Sequence, residues 1–394
     1  MKKDITTMVI KFVERILNFT LITLTTCFVS CDTTKSDLLN TAPTLGNGYE
    51  TIISDLNHPW GLAFLSEEEI LITERNGDLK FLKSAKLKTI ELDLEVNSKG
   101  QGGLLDIKLS PNYEKDEYIY LTYSKRIGEN LSTTSLVRFR LKEEKVVDME
   151  EIFEALPYVA SSYHYGSRIA FDNKENIYIT VGDRFNYTTA SEIGDPYLSD
   201  PQKLNNHLGK IIRLKLDGSI PEDNPFLAEE NAYPEVFTLG HRNPQGIAYN
   251  LATNQLFIAD HGPQGGDEVN ELFSGRNYGW PVITYGKDYN DQKVGLGTAQ
   301  NGMEQPLHYW DPSVAPSSLL IYSGNKYGAK EGELFVTSLK NKTLFKVSLV
   351  EKKITVNEFY KNEFGRIRNI EISPGGVLYL ITDDNNGSII KLLN

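Results

Sequence analysis

The sequence predicts an all-β protein, a six-bladed β-propeller of four-stranded antiparallel blades. Three observations carry this. Short apolar runs with strand-like alternation recur at a spacing of about 50 to 60 residues. Turn dipeptides and clusters of Asn, Asp and Gly separate the runs. Helical periodicity is nearly absent, which leaves short antiparallel strands as the repeating unit.

Residues 1–30 read as an export signal: Lys2, Lys3, Lys11 and Arg15 precede the apolar run ILNFTLITLTTCFVS. That run is too short and too rich in Thr for a membrane-spanning helix. It ends in FVSC and turns polar at DTTKSD, the pattern of a bacterial lipobox, so Cys31 is expected to become the lipidated first residue. The mature protein is then tethered in the bacterial envelope, periplasm or outer membrane; cleavage elsewhere or a retained anchor is the alternative. The only cysteines are Cys27 and Cys31, so no disulfide can staple the body and a large core must stabilise it. Residues 31–48 read as a flexible tether, and residues 49–394 as the propeller.

Each of six repeats opens with a strand: WGLAF at Trp60, GLLDIKLS at Gly103, SRIAFD at Ser167, GIAYN at Gly246, SSLLIY at Ser317 and IRNIEIS at Ile367. A second strand follows a short turn in each: ILITER, YIYLTYS, NIYITVGD, QLFIADHG, ELFVTSLK and VLYLITDD. A third run often follows, such as GDLKFL, KIIRLKL, TLFKVSL or SIIKLL. The last repeat ends after three strands, and YETIIS stands before the first. That N-terminal segment is expected to supply the missing outer strand and close the ring.

Antiparallel pairing puts the start of a first strand beside the end of the second. Gln101, His164, Arg242 with Asn243, and Arg366 stand just before first strands, with Arg368 one step inside. Asp183, the turn His261-Gly262-Pro263 and Lys340 stand at the ends of second strands. All of them therefore belong to one mouth of the ring. Arg242, Lys340, Arg366 and Arg368 surround an opening in a protein of net charge −12, which implies a multiply charged anion. For a single arginine, pairing with a local acid such as Asp183 or Asp383 is the simpler account; for all four it is not.

Gly262 and Pro263, followed by Gly265, Gly266, Asp267 and Glu268, offer hard oxygen ligands suited to Ca²⁺ rather than zinc. An ordinary loop held by a hydrogen bond to Asp267 remains the alternative. His164 beside Asp183 suits a general base, and a satisfied structural histidine explains the pair alone equally simply. His58, His207 and His308 read as packing or turn residues and His241 as a core strand residue. No basic run suggests a nucleic-acid partner. There is no GxGxxG leading into a helix, Walker loop, GxSxG elbow or HExxH motif.

The motifs and their order resemble the soluble pyrroloquinoline quinone (PQQ) dependent sugar dehydrogenases, closest to the bacterial aldose sugar dehydrogenase branch. The resemblance covers roughly residues 50–392 and rests on PWGLAF at Pro59, GQGGLLDI at Gly100, HYGSRIAF at His164, VGDR at Val181 and HLGKIIRLKLDGSIPEDNPF at His207. GHRNPQG at Gly240, HGPQGGDEVN at His261, NYGWP at Asn277, YWDPSVAPS at Tyr309, SLK at Ser338 and RIRNI at Arg366 complete it. It implies a propeller with the tricarboxylate PQQ over the mouth, held by Gln101, Arg242, Asn243, Lys340, Arg366 and Arg368, with Tyr289 touching the cofactor. It implies Ca²⁺ on the carbonyls of Gly262 and Pro263, and a further, structural calcium at Glu268 and Tyr278. His164 matches the catalytic base, Asp183 the acid that orients it, and Arg242 a stabiliser of the developing quinone oxyanion. The implied reaction oxidises an aldose at its anomeric carbon to the lactone and passes electrons to an external acceptor, a cytochrome or a quinone. Tyr163 departs from the aspartate of the glucose-specific branch, which weakens a preference for glucose. A cofactor-free binding propeller and a calcium-dependent lactonase-type propeller are the rival readings.

Overall fold

The computed structural model of the chain describes residues 45, 48–187, 195–324, 326–350 and 353–393. The expectations on the export signal, Cys31 and most of the tether lie outside the described residues. The described residues hold six four-stranded antiparallel sheets, each packed on the next, and the sixth on the first. The expected six-bladed propeller is the architecture.

The inner strands of blades one to six are Pro59–Phe64, Leu104–Leu109, Ile169–Phe171, Pro244–Asn250, Pro316–Ile321 and Ile367–Ile372. The second strands are Glu69–Glu74, Tyr118–Ile127, Asn176–Val181, Gln255–Asp260, Leu334–Ser338 and Leu378–Thr382. Second strands such as NIYITV and LYLIT are continuous apolar or β-branched runs because neighbouring blades cover both their faces. Apolar clusters fill the gaps between neighbours; one joins Leu71 and Phe81 of blade one to Ile107 and Phe139 of blade two.

The ring closes as expected. The strand Gly48–Leu56 pairs antiparallel with Gly387–Leu393, Gly48 opposite Leu393 and Leu56 opposite Gly387. Leu56 is fully buried there, in a cluster with Leu62 and Ile72 of blade one and Ile381 and Ile389 of blade six.

The register builds the mouth. Pro244 faces Asp260, Pro316 faces Ser338 and Ile367 faces Thr382, so residues just before an inner strand meet those just after a second strand. Near that edge the pairing slips in five blades: between Pro59 and Leu62, Leu104 and Ile107, Pro244 and Gly246, Pro316 and Ser318, and Ile367 and Asn369. Such bulges kink a strand and re-aim its side chains.

Candidate active site

His164 sits in a turn at φ 51°, ahead of the inner strand of blade three, and is 4% exposed. Its Nδ1 lies 2.6 Å from Asp183 Oδ1, and its amide donates to Gln101 Oε1 at 2.8 Å. This close approach needs Gly182, where a Cβ would stand 2.2 Å from the His164 carbonyl oxygen. Asp183 is fully buried and further held by the Phe185 amide at 2.7 Å and Trp280 Nε1 at 2.8 Å. Its own amide donates to the Arg242 carbonyl at 2.7 Å. Among the described residues nothing bonds His164 Nε2. Burial first, and then the charge of Arg242, pull the imidazole down to about 4 despite Asp183. It is therefore neutral at pH 7, with a free nitrogen opposite the one that Asp183 holds.

Arg242 is also buried; its Nη1 donates to the carbonyls of His261 and Gly262 at 2.9 and 2.8 Å. Its Nη2 reaches the exposed Tyr289 hydroxyl at 3.4 Å, while its Nε has no partner among the described residues. Asn243 lies beside it, its Oδ1 accepting from the Gly166 amide at 3.2 Å.

Across the mouth, Arg368 pairs with Asp383, which also lies 3.8 Å from Arg366 and 3.9 Å from Arg75. The local-acid account thus holds for part of the set, but three guanidiniums share one carboxylate. Although burial opposes it, these positive charges, Arg368 foremost, hold the Asp383 carboxyl far below the usual carboxylate range. Arg368 Nε is buried without a partner among the described residues, and Lys340 stands exposed at the rim. A cavity of ≈ 220 Å³ lies between the two sides, lined by Trp60, Arg75, Gln101, Asn243, Arg366 and Arg368 among others. This excess of cations and the orphaned Nε fit a ligand with several carboxylates.

The Gly262 carbonyl already receives Arg242 and His261 Nδ1, the latter at 2.9 Å, and Pro263 follows it. Asp267 accepts from the Gly262 amide at 2.8 Å and from Ser313, Val314 and Ala315, so it braces this loop. The loop half of the sequence alternative is present: Asp267 braces the turn, and the Gly262 carbonyl faces Arg242. Glu268 and Tyr278 line a second cavity of ≈ 20 Å³ with Asp260, about the size of one water or ion. Burial, reinforced by Asp260 and Asp267 against one hydrogen bond from Asn270, pushes the Glu268 carboxyl up to about 8. A carboxylate so placed fits a cation. The Tyr278 hydroxyl is committed to the Glu271 carbonyl and the Phe273 amide, which leaves Tyr278 its main-chain carbonyl to offer. Among the described residues no three His, Cys, Asp or Glu side chains converge on a metal position.

Sequence reasoning passed over four participants. Arg75 stands just after the second strand of blade one, the position class of Asp183, and could have been found by that rule. Trp280 lay inside the quoted NYGWP motif, but its bond to Asp183 crosses 97 residues without a local signal. Phe185 is exposed at φ 61°, its ring centroid 4.9 Å from that of His164. His58 occupies a turn, as expected, yet its Nδ1 lies 2.8 Å from Asp383 Oδ1 and belongs to the mouth. His241, read as a core strand residue, is buried but stands in the loop between two strands, 2.8 Å from the Thr238 hydroxyl.

A family model described as glucose/sorbosone dehydrogenase matches residues 56–391. The chain is 36% identical to the aldose sugar dehydrogenase YliI of Escherichia coli strain K12, over 91% of this chain and 95% of that protein. It is similar to the crystal structure of the soluble aldose sugar dehydrogenase from Escherichia coli in the apo-form, with a TM-score of 0.82 and 34% identity over 88% of this chain and 99% of that one. The PQQ-bound form of the aldose sugar dehydrogenase from Streptomyces coelicolor matches with a TM-score of 0.69 and 25% identity, over 89% and 100%.

Proposed function

The chain belongs to the glucose/sorbosone dehydrogenase family, and on that premise we propose that it is a PQQ- and calcium-dependent oxidoreductase that converts aldoses to lactones and hands the electrons to an external acceptor. The observation that carries this reading is the His164–Asp183 pair, a neutral imidazole whose main chain is held by Gln101, a residue that lines the cationic cavity. Bound at the mouth, PQQ and Ca²⁺ would supply two-electron redox chemistry and Lewis acidity.

The chain's own residues do the rest. Arg366, Arg368 and Lys340 would hold the carboxylates of the cofactor, with Gln101, Asn243 and Tyr289 beside it. The carbonyls of Gly262 and Pro263 offer oxygen to the catalytic calcium, and Glu268 with the Tyr278 carbonyl to the structural one. His164 Nε2 takes the proton of the anomeric hydroxyl, while Asp183, fixed by Trp280 and the Phe185 amide, holds the ring and offsets the charge it gains. Arg242 presents a buried guanidinium where negative charge develops.

A lactonase-type propeller needs acidic ligands from several blades at the channel centre, where this chain places Arg168. A binding propeller has no use for an imidazole poised beside uncompensated cations. The test is reconstitution: purified protein loaded with PQQ and Ca²⁺ is assayed for dye reduction against a panel of aldoses. Sugar-dependent reduction that requires both additions is the expected outcome; no reduction with any aldose overturns the proposal.

A further inference from the structure

Beneath the mouth, one side chain touches every blade. Arg168 of blade three is 3% exposed. Its Nε donates to the Gln245 carbonyl of blade four at 2.8 Å, and its Nη2 to the carbonyls of Ser317 of blade five at 2.6 Å and Arg368 of blade six at 3.0 Å. Its Nη1 meets Asp106 of blade two at 3.2 Å, and its guanidinium carbon lies 3.8 Å from the ring centroid of Trp60 of blade one. These five partners all fall inside the five register slips of the inner strands. The bulges thus turn one residue per blade toward a shared guanidinium, whose rigid fork of donors suits it to several fixed acceptors.

Gln245 carries this arrangement up into the site, for it also lines the cavity. Its Oε1 accepts from Arg368 Nη1 at 3.2 Å, and its Nε2 donates to the Gly166 carbonyl at 3.0 Å and to Asn243 Oδ1 at 3.3 Å. Gly166 stands two residues from His164. The amide orientation is dictated by its partners: flipped, it would set NH₂ against a guanidinium and a carbonyl against two oxygens. No other side chain of this length offers an acceptor to one side and donors to the other.

We propose that Arg168 and Gln245 are positioning residues, a strut in the central channel that keeps Arg368 in register with His164. The parts played by Arg368 and His164 rest on the functional reading above; the coupling rests on geometry. Register matters because a displacement of about 1 Å at a reacting centre can cost on the order of 100-fold in rate.

The variant Gln245→Met keeps length and volume but loses every side-chain bond, while the main-chain bond to Arg168 remains. The first measurement is amide hydrogen exchange of the unloaded protein. Exchange is expected to rise at least about tenfold around both 164–168 and 366–369, segments some 200 residues apart, and not in the outer strands. A change confined to 244–247, or none, overturns the proposal. The second measurement is PQQ affinity with Ca²⁺ present, followed by tryptophan fluorescence. Gln245→Met is expected to weaken it about tenfold, and Arg368→Ala combined with it to lose little more than Arg368→Ala alone. Full additivity refutes the strut, since a merely structural role would give it. Uptake of PQQ by wild type tests the functional reading separately: if wild type takes up none while both segments loosen, that reading falls and the strut stands. Should Gln245→Met not fold, Gln245→Glu, which keeps the Arg368 bond but opposes Gly166 and Asn243, decides by the same two measurements.

Discussion

At the scale of residues, the account turns on an imidazole kept neutral by burial and by Arg242. With its pKa at about 4, His164 is competent as a base well below the ordinary histidine value of 6.5. The acid limb of kcat/KM is therefore expected below pH 6.5, and a limb at 6.5 or above in the loaded enzyme counts against the geometry. The sign for stability follows from the same shift. Between pH 6.5 and about 4 the unfolded chain binds a proton at this residue that the folded chain refuses. Its contribution to stability therefore falls as pH drops through that window and is constant above it. Asp183→Asn is expected to lower turnover less than removal of the base, because it takes away orientation and charge support only; an equal loss in the two variants would contradict that division. Trp280→Phe leaves Asp183 Oδ2 without its donor, at a cost of about 1–3 kcal/mol in unfolding experiments. The pair was legible because both residues sit at strand ends near each other in sequence. Trp280 and the His58–Asp383 contact were not, since 97 and 325 residues separate the partners and nothing local announces them.

At the scale of elements, the inner and second strands were readable because they are mostly buried and their sequences are correspondingly apolar. Apart from Gly48–Leu56, the fourth strands were not. Lys86–Ile90, with the sequence KLKTI, is exposed except at Ile90, and His308–Trp310 follows the preceding strand of its blade only after a loop that begins at Phe273. Both are recruited by pairing with the third strand rather than by an apolar pattern of their own. The bulges were invisible too, for a slipped pairing depends on two strands at once. Ring closure was legible through a missing strand at one end and a spare one at the other. Leu56→Ala, at that closure, is expected to destabilise by about 2–5 kcal/mol, read as a fall in the urea midpoint with an unchanged slope. A midpoint equal to wild type would mean that the N-terminal strand is not what seals the ring.

At the scale of the whole molecule, a chain of net charge −12 brings Arg75, Arg366 and Arg368 onto one carboxylate at one mouth, so the site offers an anion positive charge that the chain as a whole lacks. The lipid tether expected at Cys31 would hold the protein at an envelope membrane. Cys31→Ala is expected to abolish lipid labelling and normal processing, and an unaltered lipid signal would refute the assignment. The most direct test of the central claim compares wild type with His164→Ala, both loaded with PQQ and Ca²⁺, for aldose-dependent dye reduction. Positioned bases contribute on the order of 10² to 10⁴ in rate, so the variant should lose at least that much turnover while still binding PQQ through the cations across the mouth. Near wild-type turnover in a loaded His164→Ala protein would mean that another group takes the proton, and the mechanism built on this pair would be wrong.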